Sequence, residues 1–175
     1  MQSSKGLTLI ELLVVVAVTL VLAAVTWVIV NPPEVAKRTR DASRLIDLAD
    51  FKQAINAAVA ESTGSATQAL CANSPYPCTG SSNKGSNLVS GKGWLKMNLT
   101  AQKSVNMPSL PVDPINSDSY HYTFCADGDA WEISAKLESD KENPRMNSDG
   151  GNDDKLYEVG TNLTLIAPSG GSCTY

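Results

Sequence analysis

Glu11 is the one ionisable side chain in an apolar run that extends from Leu7 to Val30. A carboxylate held deep in hydrocarbon costs roughly 2.5 to 3.5 kcal/mol, so Glu11 either lies solvated at a membrane surface or calls for a specific reason. Three further groups could do chemistry. Cys71, Cys78, Cys125 and Cys173 are an even set of thiols, all downstream of the apolar run; Glu138, Asp140, Glu142, Asp149, Asp153 and Asp154 crowd one polar segment; and His121 is the only imidazole.

No CxxC pair exists and one histidine cannot complete a zinc site, so the cysteines read as disulfides of an exported domain. Four cysteines allow three connectivities. Closing Cys71 on Cys78 fastens the tip of a loop, and in that connectivity Cys125 pairs with Cys173. Enzyme chemistry has little to build on. A nucleophile needs a base in reach, His121 lies between two tyrosines in a strand-like stretch, and the chain has neither an HExxH run nor a Gly-rich loop after a strand. The chain therefore reads as no enzyme.

The acidic segment carries two readings. One is a solvated loop; the other is a calcium site, since hard cations take six to eight oxygens from one flexible loop. An EF-hand is excluded, because placing Gly150 at its glycine puts Arg145 at the first ligand position and Leu156 at the last.

These groups must be held by a short anchor and one domain. The 175 residues are 42% hydrophobic and 18% charged, an ordinary globular composition, and the net charge of −4 argues against a general nucleic-acid binder. Leu12 to Val30 makes about 28 Å of helix, just enough to cross a hydrocarbon core of about 30 Å. The rival is a secretory signal cut near Val21-Leu22-Ala23, against which stands Glu11 in its apolar region. Asn31-Pro32-Pro33 should kink or interrupt the helix. A second, amphipathic segment follows, with Leu45, Leu48, Phe51, Ile55, Ala58 and Val59 on one side. Lys37, Arg38, Arg40 and Arg44, interleaved with Glu34, Asp41 and Asp47, read as a surface able to meet lipid phosphates from outside, although the positive-inside rule alone would place the domain in the cytoplasm.

Thr63 to Ser90 lacks apolar periodicity and reads as a long surface loop. Tyr120, Tyr122 and Phe124 alternate on one strand face. Trp131, Ile133, Ala135 and Leu137 oppose Glu132, Ser134 and Lys136 on another, and Asp127-Gly128-Asp129 between them marks an antiparallel hairpin. Leu156 to Gly160 and Leu163 to Ile166 supply a final short strand or two.

The stretch Lys5-Gly6-Leu7-Thr8-Leu9-Ile10-Glu11-Leu12 resembles the leader of type IV pilins and type II secretion pseudopilins. Leu110-Pro111-Val112-Asp113-Pro114-Ile115-Asn116 is similar to the LPxDPxN segment that precedes the first strand of pseudopilin-like heads. The resemblance implies an α+β fold in which a long N-terminal α-helix, hydrophobic in its first half, packs on a small antiparallel β-sheet. Its divisions are a leader peptide (1–6), a membrane or filament-core helix half (7–30), an amphipathic half (31–62) and a head with an αβ-loop and sheet (63–175). It also implies cleavage by a prepilin peptidase after Gly6, methylation of the new terminus at Leu7, and a Glu11 that pairs with a neighbouring subunit's ammonium in the filament. Implied partners are copies of the chain and other pilins in a helical filament, a membrane assembly platform, and lipid before assembly. Location is the inner membrane with the head outside the cytoplasm, then a pilus or periplasmic pseudopilus. No cofactor is required, although major pseudopilins carry calcium in a loop matched loosely by Asp149-Gly150, Asp153 and Asp154. The alternative role is a minor pilin at a filament tip that touches a surface or DNA through the Cys71–Cys78 loop; a membrane-anchored enzyme is the third.

Overall fold

The structure, a computed structural model, describes residue 6 and residues 8–72, 74–100, 103–167 and 169–174. It divides into two compact units, Met1–Lys37 and Arg38–Tyr175.

In the first unit, helix α1 runs from Leu9 to Val30. Thr8 is its N-cap in extended backbone, and Asn31 closes it in the left-handed region at φ 46°, donating its N–H to the Trp27 carbonyl. Helix α2, Pro32–Glu61, opens at once on Pro32, whose fixed φ and missing N–H suit a first helical turn. The interruption expected from the two prolines is thus made by Asn31, whose carbonyl takes the N–H groups of Glu34 and Val35 at 2.9 and 3.2 Å.

The second unit is built on a four-stranded sheet in the order β1-β2-β3-β4: Cys78–Ser81, Tyr122–Asp127, Ala130–Ala135 and Tyr157–Gly160. All three pairings are antiparallel. Strands β2 and β3 form the hairpin read from their alternation, with Gly128 at φ 59° providing the positive φ a tight hairpin turn demands. On one face, Leu48, Phe51, Ile55 and Ala58 of α2 bury against Tyr122, Phe124, Trp131, Ile133 and Ala135. Trp94 fills the middle of that layer, edge-on to Phe51 with ring centroids 5.2 Å apart, and its indole N–H donates to the Pro111 carbonyl at 3.1 Å. Non-directional burial of this kind is the main stabilising contribution of the head.

Three expectations need correction. The stretch read as one long loop contains helix α3 (Ala66–Leu70), capped by Ser65, and strand β1. Strand β1 has no apolar alternation. It forms because it pairs with β2, and because Gly80 lets the Trp94 carbonyl approach where a Cβ would collide with it. Tyr120 lies before β2 rather than in it. Lastly, the polar side of β3 does not face water. Helix α4 (Asn143–Met146) and a separate two-stranded parallel ladder, β5 (Ile166–Ala167) with β6 (Cys173–Thr174), follow the hairpin. Cys125, Leu156, Leu165, Ile166 and Cys173 form a second cluster, and Glu132 and Ser134 are buried.

Candidate functional site

The start of α1 is where sequence chemistry and structure meet first. Thr8 and Glu11 form a capping box: the Thr8 hydroxyl accepts the Glu11 N–H at 3.3 Å and Glu11 Oε2 accepts the Thr8 N–H at 3.5 Å. The carboxylate thereby satisfies one of the N–H groups that a helix start leaves open, and its negative charge suits that end of the helix dipole. Gly6 is described and has open space around it; Leu7 and the residues of the expected leader before Gly6 lie outside the described residues.

Beyond Glu11 the helix is apolar all round. Leu9–Trp27 has a mean hydropathy of 2.7 and none of it is buried within the protein. Leu9 and Ile10 are 82% and 70% exposed. Its two threonines bond to their own helix, Thr19 to the Val16 carbonyl at 2.9 Å and Thr26 to the Leu22 carbonyl at 2.8 Å. A helix of this kind satisfies every polar group internally, as a bilayer requires, and it leaves a continuous apolar surface that water cannot accommodate. Leu9, Leu12, Leu13, Val16, Ala17 and Leu20 line one stripe of it.

In the head, the basic residues expected to face lipid are partly withdrawn from it. Arg44 is fully buried. Its guanidinium holds Asp113 through Nε and Nη2 at 2.6 and 2.9 Å, and Asp41 and Glu138 through Nη1 at 2.8 and 2.6 Å. Arg40 makes a two-point contact with the same Glu138 at 2.7 and 2.6 Å. Burial works against the Arg44 charge, and the three carboxylates outweigh it, so its pKa rises. The Glu138 carboxyl is held below its usual range, chiefly by its bond to Arg40. Asp113 also caps the N–H groups of Ile115 and Asn116 at 2.8 and 3.2 Å, which explains the Asp-Pro-Ile-Asn spacing physically. Asp47 accepts the Tyr122 hydroxyl at 2.7 Å, and burial raises both groups' pKa values.

The four cysteines form two disulfides, Cys71–Cys78 and Cys125–Cys173. They lie on opposite faces of the sheet, the first in the layer under α2 and the second in the cluster under the C-terminal segment.

The acidic segment is closed by its own backbone. Asp149 takes the Gly151 N–H at 2.9 Å on one oxygen and the Glu158 N–H at 2.8 Å on the other, and Asp153 takes the Lys155 N–H at 2.9 Å. Asp154 is exposed. Among the described residues, no three His, Cys, Asp or Glu side chains converge as a metal would need. Sequence reasoning missed the carboxyls beneath this loop. Glu132 Oε2 accepts the N–H groups of Leu165 and Ile166, both at 2.9 Å, and Glu158 Oε2 accepts the Asp153 N–H at 3.1 Å. Burial drives both upward, with the neighbouring carboxyl adding to it for Glu158, which is pushed up to about 8. Period-two patterning sets Glu132 opposite the apolar residues of β3 and carries no sign of the segment after β4 that covers it.

No curated protein and no solved structure matches this chain. Residues 1–27 match the family described as the prokaryotic N-terminal methylation motif, which spans the capping box and most of the exposed apolar helix. That leader is a device of structural subunits that are cut by a prepilin peptidase and assemble with other pilins. The pilin-like α+β architecture fits it, and an apolar α1 that carries this leader fits an inner-membrane anchor. The chain therefore carries the prepilin-type leader of type IV pilins and pseudopilins.

Proposed function

We propose that this chain is a structural subunit that polymerises into a type IV pilus or a type II secretion pseudopilus once its leader is cut between Gly6 and Leu7. The single observation that carries the reading is the methylation motif over residues 1–27, set on a helix whose apolar span Leu9–Trp27 is unburied among the described residues. In the membrane that surface meets lipid; in the filament it meets the same helix of neighbouring copies, with the head outside the cytoplasm throughout. Glu11 changes partner between the two states. Its carboxylate caps its own helix in the monomer and takes a neighbour's methylated ammonium in the filament, where the pairing sets register.

The test is Glu11→Ala, expressed in cells that assemble the wild type. The variant reaches the membrane in normal amount, yet sheared filaments fall by about tenfold or more, because stranding a buried charge costs about 3 to 5 kcal/mol. Wild-type filament yield from this variant would reduce Glu11 to a helix cap and remove its role in assembly.

A further inference from the structure

The capping box at the start of α1 also decides where the leader ends and the helix begins. Thr8 keeps extended backbone, with φ −80° and ψ 153°, and its carbonyl accepts the Leu12 N–H at 3.1 Å, so the hydrogen-bond ladder of α1 starts at Thr8. Gly6 is exposed, non-helical and has open space around it. The Gly6 carbonyl, which a peptidase must attack, thus stands on the N-terminal side of the cap. Inside a helix that carbonyl would be tied to the amide of Ile10, four residues on, and backbone that is exposed and free of such bonds is where proteolysis concentrates.

The sequence offers a competing start. Ser3 and Ser4 are of the residue type that caps helices, and a helix begun at either would draw Gly6 and Leu7 into its opening turns. Two features favour Thr8 over them. A capping box needs a Glu or Gln three residues after the cap, which Thr8 finds in Glu11, whereas Ser3 is followed at that distance by Gly6 and Ser4 by Leu7. Glycine is also among the poorest helix formers, so Gly6 resists being drawn in.

We propose that Thr8 is a positioning residue for leader removal: its hydroxyl fixes the helix start beyond the scissile bond and so keeps the Gly6 carbonyl open to the peptidase. In the cut, water adds across Gly6–Leu7. Its hydroxyl goes to the Gly6 carbonyl carbon, the C–N bond breaks, and the Leu7 nitrogen takes the proton and becomes the new amino terminus. Thr8 touches none of the reacting atoms and acts through the backbone alone. The inference rests on the cleavage read between Gly6 and Leu7 and adds to it the residue that presents the bond.

Pulse-labelling of the full chain in cells that make the peptidase tests this, with the cut fraction of membrane-inserted chain followed over time. Thr8→Val keeps the shape and loses the hydroxyl, and is cut about three- to tenfold more slowly than wild type, as expected from loss of an N-cap. Thr8→Ser keeps the cap and recovers most of the rate. Adding Ser3→Ala and Ser4→Ala to Thr8→Val removes the competing caps and also restores most of the rate, which it could not do if valine merely spoiled contact with the peptidase. A wild-type chain that stays uncut would remove the cleavage itself, and the role of Thr8 with it. Where the wild type is cut, an unchanged rate in Thr8→Val, a Thr8→Ser as slow as Thr8→Val, or no recovery in the triple variant would each overturn the role of Thr8 alone.

Discussion

Arg44 grips both carboxylate oxygens of Asp113 across 69 residues of chain, at 2.6 and 2.9 Å, and both side chains are completely buried. Fork-to-fork geometry of this kind is the strongest form an ion pair takes, and it fixes direction as well as distance. It pins α2 to the segment that leads into β2, while Glu138 on the same guanidinium, and Asp41 accepting the N–H groups of Glu138 and Ser139, pin it to the chain leaving β3.

Arg44→Met therefore leaves Asp41 and Asp113 without their cation and Glu138 with Arg40 alone. Stability of the head falls by about 3 to 5 kcal/mol, because the desolvation of the partners is no longer offset. Arg44→Lys recovers only part of this, since a point charge cannot bond two oxygens of Asp113 and two further carboxylates in one plane. Denaturant unfolding followed by the emission of buried Trp94 and Trp131 measures both variants. Unchanged unfolding in Arg44→Met would show that the cluster is energetically idle.

Much of the fold could be read from local pattern, and what could not shares one physical cause. The leader Lys5 to Glu11, the apolar helix and the β2–β3 hairpin are signals contained in a few consecutive residues, and the structure places α1 and the hairpin where those signals put them. Arg44 is different. Its surroundings on the helix suggest a solvated charge, and the partners that bury it lie 69 and 94 residues away. Glu132 and Ser134 alternate with apolar residues, which ordinarily marks a face in water, yet the segment around Leu165 and Ile166 covers them. Strand β1 has no pattern of its own and exists through pairing with β2. Long-range cover and long-range pairing leave no trace in a short window. The spacing of Asp149 and Asp153 likewise reveals nothing of the amides that occupy them.

The two disulfides should contribute unequally. Cys71–Cys78 spans a separation of 7 residues and Cys125–Cys173 one of 48. In the chain-entropy account the longer closure stabilises by about 4 kcal/mol and the shorter by about 2.5 kcal/mol. The Cys125→Ser, Cys173→Ser double variant accordingly melts lower than the Cys71→Ser, Cys78→Ser one. Thermal melts of the two, side by side, check the order; the reverse order would assign the stabilisation to local loop packing instead.

Glu158 makes the head sensitive to alkali. Its folded pKa is raised to about 8 by burial and then by Glu132, from an ordinary value of 4.5. The folded state thus holds more protons than the unfolded one between those two values, and stability declines as pH rises through that window. Glu158→Gln keeps the shape and removes the ionisation. The variant should gain on the order of 1 kcal/mol over wild type above pH 8, after allowing for solvent screening, and show little gain below pH 5. Melting curves at both pH values decide it, and a gain of equal size at the two would rule out the ionisation of Glu158 as its source.

The central claim is that residues 1–27 act as a processed leader and anchor, and the intact mass of the protein extracted from membranes tests it most directly. The account predicts a chain that begins at Leu7, lacks Met1 to Gly6, carries one methyl group on its new amino terminus, and has lost four hydrogens to two disulfides. A mass corresponding to a chain that still begins at Met1, or to one cut near Ala23, would contradict it.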